Sequence, residues 1–258
     1  MTKLVLGFDI GGTKISAVVW DGKKVVSELK LLTPKTLAEF KIALKEMALF
    51  LGQKQKNMLV GVAVAGIVDR KKGSVIYSPN LRIIDRFNFF KFFKSLGFAG
   101  VRVENDANCF VLMENRAGQG KKFNSLIGIT LGTGLGGGII MNRNLYIGSH
   151  GSGGEPGHMM ADEKYTYEQH FQMLKNKKDW KKAGKFLGRC LADILNLLDA
   201  EAVVLGGSVG RKFGRHILPE ALAETKKHLL SKKLSAKIYI SKIKHAGAIG
   251  AALLWEKK

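Results

Sequence analysis

Apolar residues along this chain switch between two spacings. Leu4–Ile10 and Ile15–Trp20 are compact apolar runs of strand length, separated by Gly11-Gly12-Thr13. Asp21-Gly22 is a hairpin signal, and Lys24–Leu29 reads as a third strand behind it. Leu37, Phe40, Leu44, Met47 and Leu51 then recur every three or four positions, which predicts a helix over 36–52. Met58–Val64 and Val101–Glu104 return to strand length. Between them Phe89, Phe90, Phe92 and Phe93 stand at helical spacing, which predicts a stripe facing the core rather than an aromatic binding face.

A second round begins near residue 125. Leu126–Leu131, a Gly-rich turn and Gly138–Met141 repeat the strand–turn–strand pattern of the first residues. Leu6-Gly7-Phe8-Asp9-Ile10-Gly11 aligns with Ile127-Gly128-Ile129-Thr130-Leu131-Gly132, and such an internal repeat predicts two similar α/β domains facing one another. An amphipathic helix follows over about 179–199, with Phe186, Leu187, Cys190, Leu191, Ile194 and Leu198 on one face. The strand Ala202–Leu205, Gly206-Gly207, a helix, the strand Lys237–Ile240 and a final helix from Ala246 to about Trp255 complete the pattern. No Pro- or Ser-rich linker parts the halves, so a hinge joins them rather than a tether. The expected domains are 1–112 plus 244–258, and 113–243.

Composition narrows the class. The 258 residues are 46% hydrophobic with only 4 Pro, enough for a sizeable core in one large or two ordinary domains. The apolar opening is too short for a membrane span and lacks a basic leader and cleavage site; no later run reaches the ~20 residues a span needs. Two cysteines, Cys109 and Cys190, give no disulfide framework and suit a reducing compartment, so a cytoplasmic protein without a membrane partner is expected. The charge is unusual: 42 Lys and Arg against 21 Asp and Glu give +21. Such a charge attracts polyanions, yet the lysines are dispersed and seldom interleaved with aromatics. A solvated basic face accounts for them, and no specific nucleic-acid partner is expected.

Three Gly-rich turns each follow a strand: Gly11-Gly12-Thr13-Lys14, Gly132-Thr133-Gly134-Leu135-Gly136-Gly137 and Gly206-Gly207-Ser208. Glycine lets successive N–H groups approach one anion, and Thr hydroxyls and Lys14 add donors and charge. Each turn alone could equally be an ordinary tight turn. Gly132-x-Gly134-x-x-Gly137 matches the dinucleotide pattern formally, but the strand Gly138–Met141 stands where that motif needs a helix. Gly7 and Gly12 have P-loop spacing, but Thr13-Lys14 follows in the wrong order.

The carboxylates supply the rest. Glu104-Asn105-Asp106-Ala107-Asn108 ends a strand where a helix should begin. That position suits either a helix cap or the ligand groups of an open α/β sheet. Phosphoryl transfer needs a carboxylate to orient a hydroxyl and accept its proton, and Asp106 suits that role. Asp9 interrupts an apolar strand just before a phosphate-type turn, where a hydrated Mg²⁺ would explain the cost of its charge. Glu155, His158 and Glu168 could together hydrogen-bond several sugar hydroxyls.

In their order, Asp9–Lys14, Glu104–Asn108, Leu131–Gly138, Gly154-Glu155-Pro156-Gly157-His158 and Val204–Ser208 resemble the motifs of ROK-family sugar kinases. That family belongs to the actin/hexokinase superfamily, and the likeness runs from residue 5 to Ala246–Ala251. It implies an α/β fold of two similar actin/hexokinase-like (ribonuclease H-like) domains around a cleft. It implies phosphorylation of a hexose or N-acetylhexosamine by ATP and Mg²⁺, with Asp106 as the base. Asn105, Glu155, His158 and Glu168 would hold the sugar, with Asn80 from an Asn-Leu loop. Asp9 would serve Mg²⁺ through water. Gly11, Gly12, Thr13, Lys14, Gly132, Thr133 and Gly134 would meet the phosphates, and Gly206 and Gly207 would flank the adenosine. A homodimer is favoured. Residues 159–170 lack the cysteines of the family's zinc motif, so no zinc site is expected. Met1 stands three residues before the first strand, leaving no room for the DNA-binding domain of the family's repressors. A sugar sensor without turnover, or a kinase using polyphosphate, are the alternatives.

Overall fold

The computed structural model describes residues 4–52 and 57–256, so the outermost residues of the first expected domain, 1–3 and 257–258, lie outside it. The chain divides into two compact units: Met1–Met113 with Ile243–Lys258, and Glu114–Lys242. In chain order the first part holds β1 (Val5–Ile10), β2 (Lys14–Trp20), β3 (Val25–Leu32), α1 (Leu37–Gly52), β4 (Leu59–Val64), β5 (Ile67–Asp69), β6 (Ser74–Tyr77), α2 (Phe89–Ser95), β7 (Gly100–Asn105) and α3 (Asp106–Ala117). Then come β8 (Leu126–Leu131), β9 (Leu135–Met141), β10 (Asn144–Tyr146), α4 (Tyr167–Asn176), α5 (Trp180–Leu198), β11 (Ala202–Gly206), α6 (Gly207–His228), β12 (Lys237–Ile240) and α7 (Ala246–Leu253).

The first unit is built on a sheet of order β3-β2-β1-β4-β7, with β1, β4 and β7 parallel and β2 and β3 antiparallel to β1. Successive side chains of a strand point to opposite faces. Leu6, Phe8 and Ile10 of β1 join Val60, Val62 and Val64 of β4 on one face. They meet Phe40, Leu44 and Met47 of α1 and the fully buried Phe89 and Phe93 of α2, with Phe8 and Phe93 rings 5.3 Å apart. The opposite face carries small residues. A side chain at Gly7 or Gly61 would run into the α7 carbonyls of Ala248 and Ala251, and α7 itself comes close to α3, Gly250 against the Cys109 carbonyl. Small residues on both partners let the helix lie directly on the strands.

The second unit repeats the plan, its sheet running β10-β9-β8-β11-β12, with β8, β11 and β12 parallel. The long helices α5 and α6 pack through Gly184 and Gly188, and Thr225 Oγ1 donates to the Gly188 carbonyl at 3.0 Å. The core lies between these helices and the sheet, around Ile129, Leu187, Leu191, Val203 and Ile217.

Several elements differ from the apolar pattern. β9 starts at Leu135 rather than Gly138, because Gly136–Gly138 pair through backbone alone, opposite Thr130, Ile129 and Gly128. β3 runs on to Leu32, and the small β5–β6 pair and β10 carry too few apolar residues to be read. The last helix stops at Leu253, freeing Trp255 to donate to the Val60 carbonyl at 2.8 Å with Arg102 over its ring. α4 opens with a capping box of Thr166 and Gln169, a local signal that outweighs its sparse apolar content. Among the described residues no helix is long and apolar enough to cross a membrane.

Candidate functional site

The candidates fall into two groups, one in each unit. In the first, Asp9, Ala63 and Glu104 lie on one row of the parallel ladder, and Ile10, Val64 and Asn105 on the next. The carboxyl ends of three neighbouring strands therefore hold Asp9, the first Gly-rich turn and the Asn105-Asp106 step, the usual place for ligand groups in an α/β sheet. The turn is closed by the Gly11 amide donating to the Lys14 carbonyl at 3.0 Å. Thr33 secures it from behind: its Oγ1 donates to the Gly11 carbonyl at 2.6 Å and its amide to the Thr13 carbonyl at 3.0 Å. Gly12 packs against the backbone carbonyl of Asn80, so the Asn-Leu loop touches this turn. The Asp9 carboxyl group rests on α7, where a Cβ at Gly247 would stand 2.6 Å from its carboxyl carbon.

Asp106 opens α3, half-buried, with Oδ1 accepting from the Ala107 amide at 2.9 Å. Asn105 is fixed at both ends. Its Oδ1 accepts from the Ala107 and Asn108 amides at 2.8 and 3.1 Å, and its Nδ2 donates to the Gly66 carbonyl at 3.2 Å. Beneath them the buried Glu104 receives a two-pronged pair from Arg70, at 2.6 and 2.5 Å, together with the Asn105 amide and the Asn108 side chain at 2.8 and 3.0 Å. A charge at this depth persists because it is paired and saturated with donors.

In the second unit, four motifs meet around the β8–β9 turn. The Gly132 amide donates to the Gly134 carbonyl at 3.0 Å. Gly137 packs on Pro156 and Gly157 on the Leu135 carbonyl, which seats the Glu155–His158 turn against β9. Gly207, at φ 78°, opens α6 in the left-handed region and packs on the Leu131 backbone; Gly206 pairs with Thr130. Glu168 at the start of α4 accepts from the Leu135 amide at 2.7 Å, and its carboxylate fills the space beside Gly134. His158 is exposed, and Glu155 is half-buried.

The segment 159–170 is closed by polar chemistry of its own. The Asp162 carboxylate accepts from the Lys164 and Tyr165 amides, both at 2.8 Å, and pairs with His170 of α4. The Lys164 amide, then His170 and the Tyr165 amide, hold that carboxyl below the usual carboxylate range. The His170 ring packs between Tyr165 and Phe186, at 5.2 and 4.3 Å between centroids. The Tyr167 hydroxyl donates to Asp193 at 2.6 Å; burial, then that carboxylate, push the phenol up. Among the described residues no three His, Cys, Asp or Glu side chains gather as a metal cage.

Sequence reasoning missed Thr33, Arg70, Lys175 and Gly247. Thr33 and Lys175 stand outside any motif, far along the chain from the turns they hold, and only the fold brings them there. Gly247 lay in a recognised motif, where its small size was the available signal.

Two α/β units of like strand order, each with a Gly-rich turn after its first strand, define the actin/hexokinase-like class. The ROK family model matches residues 5–173 and 162–258, and the chain belongs to that family. It is 29% identical over 199 residues to the β-glucoside kinase of Listeria monocytogenes, an alignment covering 74% of this chain and 66%, just under two thirds, of that one. It is 28% identical to the N-acetyl-D-glucosamine kinase of Mannheimia succiniciproducens, covering 99% of this chain and 100% of that one. A ROK family glucokinase from Streptomyces griseus, solved with glucose and AMPPNP, superposes with a TM-score of 0.84 at 26% identity, over 97% of this chain and 98% of the other.

Proposed function

We propose that this protein is a cytoplasmic kinase that transfers the γ-phosphoryl group of ATP to a hydroxyl of a hexose or N-acetylhexosamine. The observation that carries the reading is the shared strand end of the first unit, where Asp9 and the first Gly-rich turn on β1 and Asn105-Asp106 at β7 stand at the same end of the sheet with β4 between them. Asp106 accepts the proton of the acceptor hydroxyl as its oxygen bonds to the γ-phosphorus; the bond to the β–γ bridging oxygen breaks and ADP leaves. Asn105 orients the sugar with the amide N–H that Gly66 does not take. Asn80, Glu155, His158 and the second oxygen of Glu168 receive the other hydroxyls.

Gly11, Gly12, Thr13 and Lys14, with Gly132, Thr133 and Gly134, hold the phosphates through amides, hydroxyls and the Lys14 charge. Gly206 and Gly207 flank the adenosine. Asp9 is an oxygen donor beside a phosphate turn, and it would serve a Mg²⁺ through water. When bound, that ion neutralises phosphate charge. The zinc of the family's cysteine motif has no counterpart in the donor set of 159–170, where Asp162 and His170 close the segment.

The test is ADP release with Mg-ATP across a panel of hexoses and N-acetylhexosamines, with polyphosphate as a separate donor arm. Sugar-dependent turnover with ATP, lost in a folded Asp106→Asn variant, is the expected outcome. Asp106→Asn keeping more than about a tenth of the wild-type rate, against the 10²–10⁴-fold a general base supplies, would falsify the assignment of Asp106. Tight sugar binding without turnover by any donor would make the protein a sensor.

A further inference from the structure

The half-buried lysine Lys175 of α4 lies beneath the second Gly-rich turn. Its Nζ donates to the carbonyls of Gly132 and Thr133 at 3.1 and 3.0 Å, 43 and 42 residues away along the chain. Glu168 stands seven residues earlier on the same helix, two turns away and so on the same face. It takes the Leu135 amide at 2.7 Å. One helix therefore grips both sides of the turn, a cation on its carbonyls and a carboxylate on its last amide.

The consequence follows from peptide geometry. In a planar trans peptide the C=O and the N–H point to opposite sides. Two carbonyls drawn down onto one ammonium turn the N–H groups of Thr133 and Gly134 the other way, side by side. No described residue accepts from those two amides. The Gly132 and Leu135 amides on either side are both committed, to the Gly134 carbonyl and to Glu168. What remains is a pair of parallel donors, the arrangement that receives an anion. An ammonium on the carbonyls also polarises both peptide groups, which strengthens their N–H ends as donors. In the first unit the neutral Thr33 does the corresponding work on Gly11 and Thr13. The second turn has an ammonium behind it where the first has a hydroxyl and an amide.

We propose that Lys175 is a positioning residue for nucleotide phosphate: it never touches the ligand, and it aims the Thr133 and Gly134 amides at the phosphate oxygens. The proposal rests on the reading of this turn as a phosphate site. Its test compares wild type, Lys175→Met and Lys175→Arg in steady-state kinetics, in calorimetric binding of Mg-AMPPNP, and in amide NMR spectra of the unliganded protein, with thermal melts confirming the fold.

Lys175→Met keeps the apolar stem and is expected to raise the nucleotide KM and the AMPPNP Kd about tenfold, as the loss of two charge-assisted hydrogen bonds requires. The sugar KM should stay within twofold. Lys175→Arg, which can still donate to two carbonyls, should recover part of the loss. The Thr133 and Gly134 amide resonances should move in Lys175→Met while those of Gly11 and Gly12 stay. Unmoved resonances, or a nucleotide KM within twofold of wild type, overturn the role of Lys175. Wild-type protein that binds no nucleotide at all would instead overturn the reading of the turn itself, and the proposal with it.

Discussion

Asp9 and Gly247 set a close constraint in the first unit at the scale of single residues. The missing side chain of Gly247 is what allows a carboxylate on β1 to lie against the start of α7. Gly247→Ala would place a methyl group 2.6 Å from the Asp9 carboxyl carbon, so that Asp9 must turn or the helix must retreat. Overpacking of this kind costs about 1–3 kcal/mol. The expected outcome is a lower melting temperature together with a raised Mg²⁺ requirement for turnover. A variant with an unchanged Mg²⁺ titration would detach Asp9 from the ion. The Glu104–Arg70 pair shows the limit of sequence reading at this scale. Glu104 was visible as part of a motif, whereas Arg70 lies 34 residues earlier with no pattern around it. Its partner is fixed only when β7 is laid beside β4.

Among the elements, α4 carries the most chemistry and was the least legible. Its buried residues are Tyr167 and Phe171, too few to set up a helical stripe, and a capping box starts it instead. The strands β1, β2, β4, β8 and β11, by contrast, are plain, because compact apolar runs need no partner to be recognised. α4 brings together Glu168, His170 and Lys175, and through His170 it holds the 159–166 segment by way of Asp162. Asp162→Ala and His170→Ala should each loosen that segment and raise the sugar KM, with little change in nucleotide KM. A chelator should leave wild-type turnover unchanged once Mg²⁺ is restored. Sugar affinity that survives both substitutions would show that the Asp162–His170 pair does not support sugar binding.

For the whole molecule, charge and pH matter most. The excess of basic side chains leaves few carboxylates, and two of these behave in opposite ways. Burial, opposed by hydrogen bonds from Ser241 and the Gln119 amide, holds the Glu114 carboxyl above its usual range. A raised carboxyl favours the folded state below the unfolded pKa, and that stability is lost as pH rises through the folded value. Burial also works against Glu224, but Arg189, Lys227 and His228 outweigh it and bring it down to about 2. Its contribution is present above the unfolded pKa and is lost as pH falls toward 2. Glu114→Gln is therefore expected to raise the melting temperature at pH 8 and to change little at pH 4. Glu224→Gln should lower it at pH 7, with the difference shrinking at acid pH. Melts of the three proteins at several pH values decide both.

The first unit is discontinuous: its sheet comes from the opening third of the chain, while α7, which covers the glycine-lined face of β1 and β4, comes from residues 246–253. On the ribosome these parts do not appear together. All of Glu114–Lys242 must be translated between them, on the order of 10 s at ordinary elongation rates. During that interval the nascent sheet has an open groove where Gly7, Gly61 and Ala63 await a helix not yet made, whereas the second unit is contiguous and can close its own core as soon as it emerges. The later-made half is thus free to fold first, and the strands carrying Asp9 and Asn105 gain support from α7 only after the whole of the second unit has been made.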